Sequence, residues 1–441
     1  MWSHSAPDPY GPRTARSRPL VRGLTFWFWI TVSAAAPAAL AAWASTFPAP
    51  PPAAPLDQHN VPSRYLRLPN LVHLNMNPRE LADLMENPLG KGRRWERAGH
   101  VAFYADGVKQ FESPVGVRIH GGISRTLGNV RSFRLHFRES LHSTDPPGPL
   151  VGLTTLRLHK ELVLHGDVRG REVTGLWHYV NPLIYDIAHE MKILTAETVP
   201  STLIINDGPP IPYVVSEHLD KDYLESRLGK GDYTFFDTKD PGAQEALAYE
   251  GPLAELNKRF GRPDTWTREQ IGQVVDLDNL SRWFILALLC GSKDMWQGPL
   301  VHEKTRPDSK WFWIAWDFDQ SFGRPDPYDP LPVPPWEYDQ FPQILSPAGL
   351  KSNADARIVL LRRLFQSSAE FRESFVRLFV DIRDNVLTPD FLDRTITKYE
   401  RIAAVSGIKE TGYQGKIRQY VAHRPAAVRR QLIRYLHTEI P

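Results

Sequence analysis

The residues of this chain that could do chemistry are concentrated in the segment Gly291–Gly323. It holds Asp294 in a loop and the acidic pair Asp317 and Asp319 at the exit of an aromatic segment. A carboxylate at the end of an apolar strand is costly to desolvate without a cation or a hydrogen-bond donor. A hard cation such as Mg²⁺ prefers oxygen ligands, commonly one or two carboxylates plus substrate phosphates. Spacing alone leaves two interpretations open: Asp317 and Asp319 bind a metal, or they cap the following turn.

Asp294 is the third acid of the segment, and it follows an apolar helix predicted over Asp278–Leu289. Loops on a rigid scaffold commonly carry functional groups, so Asp294 could orient or deprotonate an attacking hydroxyl. The alternative is a solvated loop aspartate beside Lys293. The other two acids follow the strand predicted over Trp311–Trp316. Alternation of side chains places Trp311, Trp313 and Asp317 on one face of this strand.

The first half of the chain is predicted to form an antiparallel sheet with a helix packed across it. Asn77 caps one helix, and Trp177–Met191 forms another that bends or starts late because of Pro182. Asn206-Asp207-Gly208 is a hairpin signal. The predicted strands are Val61–Leu74, Val101–Tyr104, Val115–Ile119, Phe133–Phe137, Thr202–Ile205 and Tyr213–Ser216.

The second half changes character. Proline recurs through Arg324–Pro347 and forbids long helices there, and helical patterns return from Asp355 onward. The fold class is therefore α+β with two lobes: a β-rich N-lobe over about 61–216, a helical C-lobe over about 217–436, and a cleft between them.

Composition excludes several classes of protein. The chain has 441 residues, 42% of them apolar, which is enough to bury a core. Four arginines and one aspartate in residues 1–44 account for the net charge of +3, so the remainder is neutral and carries no basic footprint for nucleic acid. Cys290 is the only cysteine, which rules out an intrachain disulfide.

The N-terminus has the pattern of a targeting segment. Four arginines precede the almost uncharged stretch Leu24–Ala44, and the proline-rich spacer Pro48–Pro55 follows it. Residues 1–47 are predicted to be a signal peptide or a retained membrane anchor, and residues 48–60 a linker. Arginines before the stretch place the rest of the chain outside the cytoplasm, either secreted or anchored by residues 24–44.

Other catalytic motifs are missing from the sequence. His189-Glu190-Met191 and His302-Glu303-Lys304 lack the second histidine of a His-Glu-x-x-His zinc motif. No Gly-x-Ser-x-Gly elbow and no Walker-type Gly-Lys-Ser/Thr run occurs.

Four ordered stretches resemble the CotH family of spore-coat-type atypical protein kinases. The signature region is DLDNLSRWFILALLCGSKDMW followed by WFWIAWDFDQSFG. The others are GVRIHGGISRTLGNVRSFRLHF, IPYVVSEHLDKDYLESRLG and VAHRPAAVRRQL. The resemblance covers about residues 61–436 and implies an atypical kinase-like fold with ATP between the lobes.

The resemblance implies roles for residues of the signature region. Asp294 matches the catalytic aspartate that orients or deprotonates the acceptor hydroxyl. Asp317 matches the aspartate that binds Mg²⁺ or Mn²⁺, with Asp319 as a neighbouring helper. Trp311 matches a tryptophan that stacks on adenine. A straight strand would put Trp311 and Asp317 roughly 20 Å apart at about 3.3 Å per residue, so we expect it to bend or end before Asp317.

Further residues are candidates for nucleotide contacts. Arg131 stands where the family usually has a lysine, and a guanidinium can hold a phosphoryl group through two parallel hydrogen bonds. The hairpin His120–Asn129, with Ser124 and Arg125, could close over phosphates. The alternative for both arginines is a solvated sheet face. Glu217 and His218 lie at the lobe junction, where their backbone could meet the adenine edge.

The sequence departs from the family pattern at two places. Gln297-Gly298-Pro299-Leu300 replaces a stretch that normally offers an asparagine to the metal, so Gln297 is the candidate ligand at a different offset. Arg131 in place of lysine is the second departure. The predicted function is an extracytoplasmic protein kinase that phosphorylates Ser or Thr of surface or coat proteins. The alternatives are a weak or inactive coat assembly protein and, third, a nucleotide-sugar glycosyltransferase.

Overall fold

Alternation of side chains along single strands builds the first half of the molecule. In the strand Ser132–His136, Phe133 and Leu135 are buried in an apolar core, and the intervening side chains lie on the opposite face. The predicted strands obey the same rule. Val61–Leu74 is shortened, since its strand begins only at Asn70, after a proline that cannot donate to a ladder.

The computed structural model describes a defined part of the chain: residues 61, 65–66, 68–126, 130–144, 150, 153, 160–166, 178–236, 250–294, 297–324, 334–346, 355–408, 414–437 and 440. The predicted targeting segment Leu24–Ala44, the spacer Pro48–Pro55 and Asn129 at the end of the predicted hairpin lie outside these residues. In the described part, no helix combines the length and the apolar character that crossing a membrane requires.

Seven strands close into a barrel in the order β1-β2-β3-β4-β5-β7-β6. They are β1 (Asn70–Met76), β2 (Arg97–Ala105), β3 (Val108–His120), β4 (Ser132–His136), β5 (Glu161–His165), β6 (Thr198–Ile205) and β7 (Ile211–Glu217). Six neighbouring pairs are antiparallel, and β1 and β6 are parallel. The antiparallel pairing is as predicted. The parallel pair that closes the barrel joins segments far apart in sequence, which local patterns do not predict.

The helix and turn signals of this half are confirmed. Helix α1 (Pro78–Glu86) begins after Asn77, whose side chain accepts a hydrogen bond from the backbone of Arg79. Helix α2 (Val180–Glu190) starts late enough for Pro182 to lie in its first turn, where a missing N–H is tolerated. At the hairpin between β6 and β7, Asn206 has a φ of 51°.

Helices dominate the second half. They are α3 (Lys221–Leu228), α4 (Pro252–Phe260), α5 (Arg268–Val274), α6 (Leu277–Cys290), α7 (Phe341–Leu345), α8 (Ala356–Ser367), α9 (Ala369–Asp381), α10 (Pro389–Val405) and α11 (Gln414–Leu436). Helix α6 is capped by Asp276 and buries most of its residues, so it is the central helix of the second apolar core. Residues of α2 join the same core, and α2 also contacts β6, so this helix links the core to the barrel.

The aromatic segment is a shorter strand than predicted. A three-stranded sheet contains β8 (Tyr233–Phe236), β9 (Leu300–Glu303) and β10 (Phe312–Trp313). The predicted strand Trp311–Trp316 is therefore correct only at its centre. Its ends pair elsewhere: the Trp311 amide donates to the carbonyl of Val274 and the Ala315 amide to that of Leu194, both at 2.9 Å.

Arg424 ties the terminal helix α11 to the centre of this core. Its side chain is fully buried and donates to the carbonyls of Leu288, Trp336 and Tyr338 at 2.6–2.7 Å. It also donates to the side-chain oxygen of Gln340 at 2.9 Å. One cation therefore satisfies four acceptors, and its hydrogen bonds to the Leu288 carbonyl near the end of α6 and to Gln340 are fully buried.

We expect Arg424→Leu to lower the free energy of unfolding by at least about 3 kcal/mol, because buried acceptors lose a charged donor. Urea denaturation followed by circular dichroism measures the change. Arg401→Leu, at an exposed position of α10, is the matched control and should change the unfolding free energy by less than about 0.5 kcal/mol. Equal effects of the two substitutions would contradict the role assigned to Arg424.

Candidate functional site

Asp317 stands at a bend directly after the aromatic segment. Its φ is 60°, in the left-handed region that residues other than glycine seldom adopt. The Asp317 amide donates to the Tyr185 hydroxyl at 3.0 Å, and the Tyr185 ring stacks on Trp316 at 6.1 Å between centroids. The bend breaks the predicted alternation: Trp313 is buried, whereas Asp317 is half-buried. The expectation that the strand ends before Asp317 is confirmed.

The loop that carries Asp294 is tied to the loop after Asp317. It begins at Gly291, which has a φ of 61°, and a Cβ there would meet a tyrosine hydroxyl at 1.9 Å. Only glycine satisfies both demands. The Lys293 amide then donates to the carbonyl of Gln320 at 3.0 Å. The two acid-bearing loops are therefore neighbours joined by a backbone hydrogen bond.

The far end of the Asp294 loop also packs on the backbone that leads to Asp317. Gly298 has a φ of 108°, and a Cβ at this position would lie 2.5 Å from the carbonyl oxygen of Ile314. The next residue, Pro299, accepts a hydrogen bond from the Ile314 amide at 3.1 Å. Both ends of the loop are thus held against the second acid-bearing segment.

Gln297 presents a side-chain oxygen at this junction. The backbone carbonyl of Gln297 accepts a hydrogen bond from Arg357 at 3.1 Å. Arg357 is itself buried and paired with Asp355 at 2.8 Å. The Gln297 amide donates to the carbonyl of Asp294 at 3.3 Å. Its side-chain oxygen is buried and has no hydrogen-bond partner among the described residues. Such an oxygen is suited to a cation, because buried acceptors are normally paired.

The oxygen-bearing side chains of these two neighbouring segments are of the class that a hard divalent cation prefers. Asp317 and Asp319 supply carboxylates, and Gln297 supplies the unpaired amide oxygen. Mg²⁺ and Mn²⁺ are bound by ligands of this class. Asp319 has a cationic neighbour already, since Arg324 lies 3.7 Å from its carboxylate. The segment of Asp294 and Gln297 and the segment of Asp317 and Asp319 are therefore neighbours in the structure, and their roles in catalysis and metal binding stay predictions.

Trp311 has a different position from the one predicted. Its side chain is 2% exposed, and its ring is stacked on His302 at 4.8 Å and on Phe236 at 6.0 Å between centroids. The indole nitrogen donates to Glu255 at 3.0 Å. Adenine stacking needs an exposed ring face, so the structure places Trp311 in the core as a packing residue.

The predicted phosphate hairpin is held by its own side chains. Arg125 donates to the carbonyl of Gly121 at 2.5 Å and to the carbonyls of Pro88 and Gly90 at 3.2 and 2.9 Å. Gly121 has a φ of 109°, and a Cβ there would lie 2.2 Å from the Ser124 hydroxyl. Arg125 therefore stabilises the turn, the Ser124 hydroxyl requires glycine at position 121, and a phosphate role for Ser124 and Arg125 stays a prediction.

A polar surface covers the outside of the barrel. Along β3, β4, β5 and β7 its side chains alternate with those that point into the apolar interior. We call this surface the polar face. Its residues are Arg118, His120, Ser132, Arg134, His136, Glu161, His165 and, directly after β7, His218. This face reaches the acids through His165, whose ring lies 5.6 Å from that of Trp316, the neighbour of Asp317 in sequence.

Arg134 and Glu161 form the ion pair at the centre of the polar face. The guanidinium Nε lies 2.8 Å from a Glu161 oxygen, and His136 donates to the other oxygen at 2.7 Å. Burial would raise the pKa of Glu161, but the hydrogen bond from His136 and the charge of Arg134 outweigh it and lower the pKa to about 2. Arg134 was missed as a site residue, although its alternation with Phe133 signalled that it faces away from the core.

Arg131 lies one residue before β4 begins, away from that ion pair. Its carbonyl accepts a hydrogen bond from the Tyr213 hydroxyl at 2.6 Å, so the backbone here is fastened to β7. Tyr213 is buried in the barrel core. The contact of Arg131 with a phosphate stays a prediction, and Arg134 is the arginine of this motif that stands on the polar face.

Glu217 and His218 lie at the end of β7, as predicted. Glu217 is buried, and its carboxylate accepts hydrogen bonds from the Glu197 amide at 2.9 Å and from Arg227 at 2.7 Å. Burial raises the pKa of Glu217, although the charge of Arg227 opposes the shift. His218 contacts Arg134 on the polar face. Their predicted backbone contact with adenine stays a prediction.

The chain is similar to one protein family and to solved structures of a kinase. The family model described as CotH kinase protein matches residues 117–436, more than half of the chain. A crystal structure of the Golgi casein kinase with Mn/ADP bound is 13% identical, with a TM-score of 0.35 and 71% of each chain covered. Another crystal structure of the Golgi casein kinase is 13% identical, with a TM-score of 0.33 and coverage of 72% of this chain and 73% of that chain. No curated protein matches the chain.

Glu161 gives the polar face a testable dependence on pH. Its pKa in the fold, about 2, lies below the ordinary 4.5, so its ionised form stabilises the fold above pH 4.5. That stabilisation disappears as the pH falls towards 2. We therefore expect Glu161→Gln to lower the free energy of unfolding at neutral pH by about 1–2 kcal/mol, and the difference from wild type to shrink in acid.

Urea denaturation of both proteins between about pH 7 and about pH 3 measures this difference. Glu373→Gln, at an exposed position of α9, is the control and should show no such convergence. A Glu161→Gln deficit that stays constant over the whole range would show that ionisation of Glu161 is unimportant for stability.

Proposed function

The chain belongs to the CotH kinase family, and we propose that it transfers the γ-phosphoryl group of ATP to a Ser or Thr hydroxyl of a protein. The observation that supports this most is the hydrogen bond from the Lys293 amide to the Gln320 carbonyl, which holds the Asp294 loop against the loop of Asp317. Phosphoryl transfer depends on positioning and electrostatics more than on covalent chemistry. A pair of acid-bearing loops joined by a backbone hydrogen bond meets the need for positioning.

Asp317, Asp319 and Gln297 are the residues that would hold Mg²⁺ or Mn²⁺. The unpaired, buried oxygen of Gln297 supports this assignment, and Arg357 holds the Gln297 backbone in place. The metal would neutralise charge on the phosphate oxygens during transfer. Gln297 would thus replace the asparagine that the family normally offers, from a different place in the loop.

Asp294 would orient the acceptor hydroxyl and take its proton. It is half-buried, and the loop that carries it is held at both ends, by the Lys293 hydrogen bond and by the close packing of Gly298. A positioned carboxylate within hydrogen-bond reach of a hydroxyl can contribute a factor of about 10²–10⁴ to the rate. Fixing the loop therefore serves the orientation of the nucleophile.

Arg134, held by Glu161, would be the cationic partner of the phosphates. Kinases use an ion pair of a basic side chain and a glutamate to orient the phosphates of ATP. Here the pair joins neighbouring strands of the barrel at 2.8 Å, on the face that approaches Asp317 through His165 and Trp316. An arginine supplies a planar fork of donors where a lysine supplies a point charge.

We further propose that the protein acts outside the cytoplasm, on proteins of a cell surface or coat. The arginines ahead of the apolar stretch Leu24–Ala44 motivate this proposal. Fractionation of cells producing the full chain, with protease added from outside, tests it: a protected, cytoplasmic chain would refute it.

The acids provide the first test of the activity. We expect Asp317→Asn and Asp294→Asn each to reduce transfer from labelled ATP at least about 10²-fold in the presence of Mg²⁺ or Mn²⁺. Autophosphorylation of the full chain, followed by mapping of phosphorylated residues, measures it. Both substitutions preserve size and remove charge, so circular dichroism should show an unchanged fold.

Three outcomes would contradict part or all of this proposal. Activity retained in either variant would remove that acid from the mechanism. Failure of the wild-type chain to bind ATP with metal in a calorimeter would favour a non-catalytic assembly protein. Sugar transfer from a nucleotide sugar, without phosphorylation, would favour the glycosyltransferase.

The two arginines of the motif provide the second test. We expect Arg134→Met to lower kcat/KM for ATP by about 10²-fold, because a charge facing the phosphates is lost. Arg131→Met is the matched control and should have an effect at least about tenfold smaller. The reverse order of effects would return the phosphate role to Arg131, as the family resemblance first implied.

A further inference from the structure

Three side chains that can each offer a metal ligand meet on the polar face: His218, Asp220 and Glu161. His218 Nδ1 lies 3.2 Å from an oxygen of Asp220 and 3.5 Å from an oxygen of Glu161. All three atoms lie within 4.8 Å of one another. Acceptors placed together in this way repel unless a proton or a cation lies among them.

The spacing matches a tetrahedral metal site. Zn²⁺ binds histidine nitrogen and carboxylate oxygen at about 2.0–2.2 Å in tetrahedral geometry, which separates neighbouring ligand atoms by about 3.3–3.6 Å. The two distances from His218 are close to this separation. Two carboxylates and a neutral imidazole balance the charge of a divalent ion. One histidine with two carboxylates also leaves the fourth position open to water.

Each carboxylate is oriented by a hydrogen bond to its other oxygen. Glu161 accepts from His136 at 2.7 Å, and Asp220 accepts from the Tyr223 amide at 2.9 Å as the cap of helix α3. Supporting bonds of this kind fix the ligands of metal sites. One oxygen of each carboxylate is thereby left to face His218.

The guanidinium of Arg134 now contacts two of the three residues, Glu161 and both ring nitrogens of His218. It lies 2.8 Å from the Glu161 oxygen and 2.9 Å from His218 Nδ1. The cluster is therefore built for a cation and is filled by one from the chain itself. Arg134 has a long side chain on the outward face of a strand, so it can rotate away without disturbing the barrel core.

We propose that Glu161, His218 and Asp220 form a Zn²⁺ site in which the metal and the Arg134 guanidinium compete for Glu161 and His218. This site is separate from the one assigned to Asp317, since its ligands come from β5 and from the residues that follow β7. Metal binding would free Arg134 from Glu161, and removal of Arg134 would open the site.

Titration of the untagged full chain with Co²⁺, followed by visible absorption, tests this proposal. Co²⁺ replaces Zn²⁺ and shows intense bands when nitrogen and oxygen ligands hold it in a site of low coordination number. We expect Arg134→Met to bind Co²⁺ at least tenfold more tightly than wild type. Asp220→Asn should bind it at least tenfold more weakly, and its amide oxygen can still cap helix α3.

The site of the proposed kinase activity provides the control. Asp317→Asn should leave the intense Co²⁺ bands, and the affinity measured from those bands, unchanged, and Zn²⁺ should abolish the bands in every variant that shows them. Unchanged affinity in Asp220→Asn would overturn the proposal, as would unchanged or weaker affinity in Arg134→Met. Loss of the bands in Asp317→Asn alone would assign the metal to the acid-bearing loops and also overturn it.

Discussion

A single backbone hydrogen bond, from the Lys293 amide to the Gln320 carbonyl at 3.0 Å, is the constraint on which the candidate site depends. Carboxylates repel one another, so loops that carry them stay together only when the surrounding backbone holds them. Here the Phe322 amide adds a bond to the Cys290 carbonyl at 2.7 Å, and Gly298 allows backbones to touch. The acid-bearing loops are consequently positioned by main-chain contacts.

Charge across the site is complementary. The acids stand on loops of the helical half, and the arginine and the histidines stand on the polar face of the barrel, with His165 and Trp316 in contact between them. Glu161 adds a negative charge to this face and holds Arg134 in place through an ion pair. A polyanion and a cation can be accommodated together in such a setting, since each finds groups of opposite sign.

Local patterns predicted the elements well and their partners less well. Asn77 and Pro78 set the start of a helix through bonds within a few residues, and the structure confirms it. The strand around Trp313 was predicted too long, because Trp311 and Ala315 pair with distant carbonyls. Trp311 itself was expected at an open surface and lies in the core, where two rings cover it.

The sequence by itself determined the element types, the family and the four candidate residues of the acid-bearing loops, because short-range spacing and ordered motifs encode them. Only the tertiary structure decided that Arg134 pairs with Glu161 on the polar face and that Glu161, His218 and Asp220 meet. Among the described residues, a helix and two strands separate Glu161 from His218 and Asp220 in the chain. The pairing of β5 with β7 brings them together. Histidine spacing along the chain could therefore reveal no zinc motif, whereas the folded sheet can assemble one.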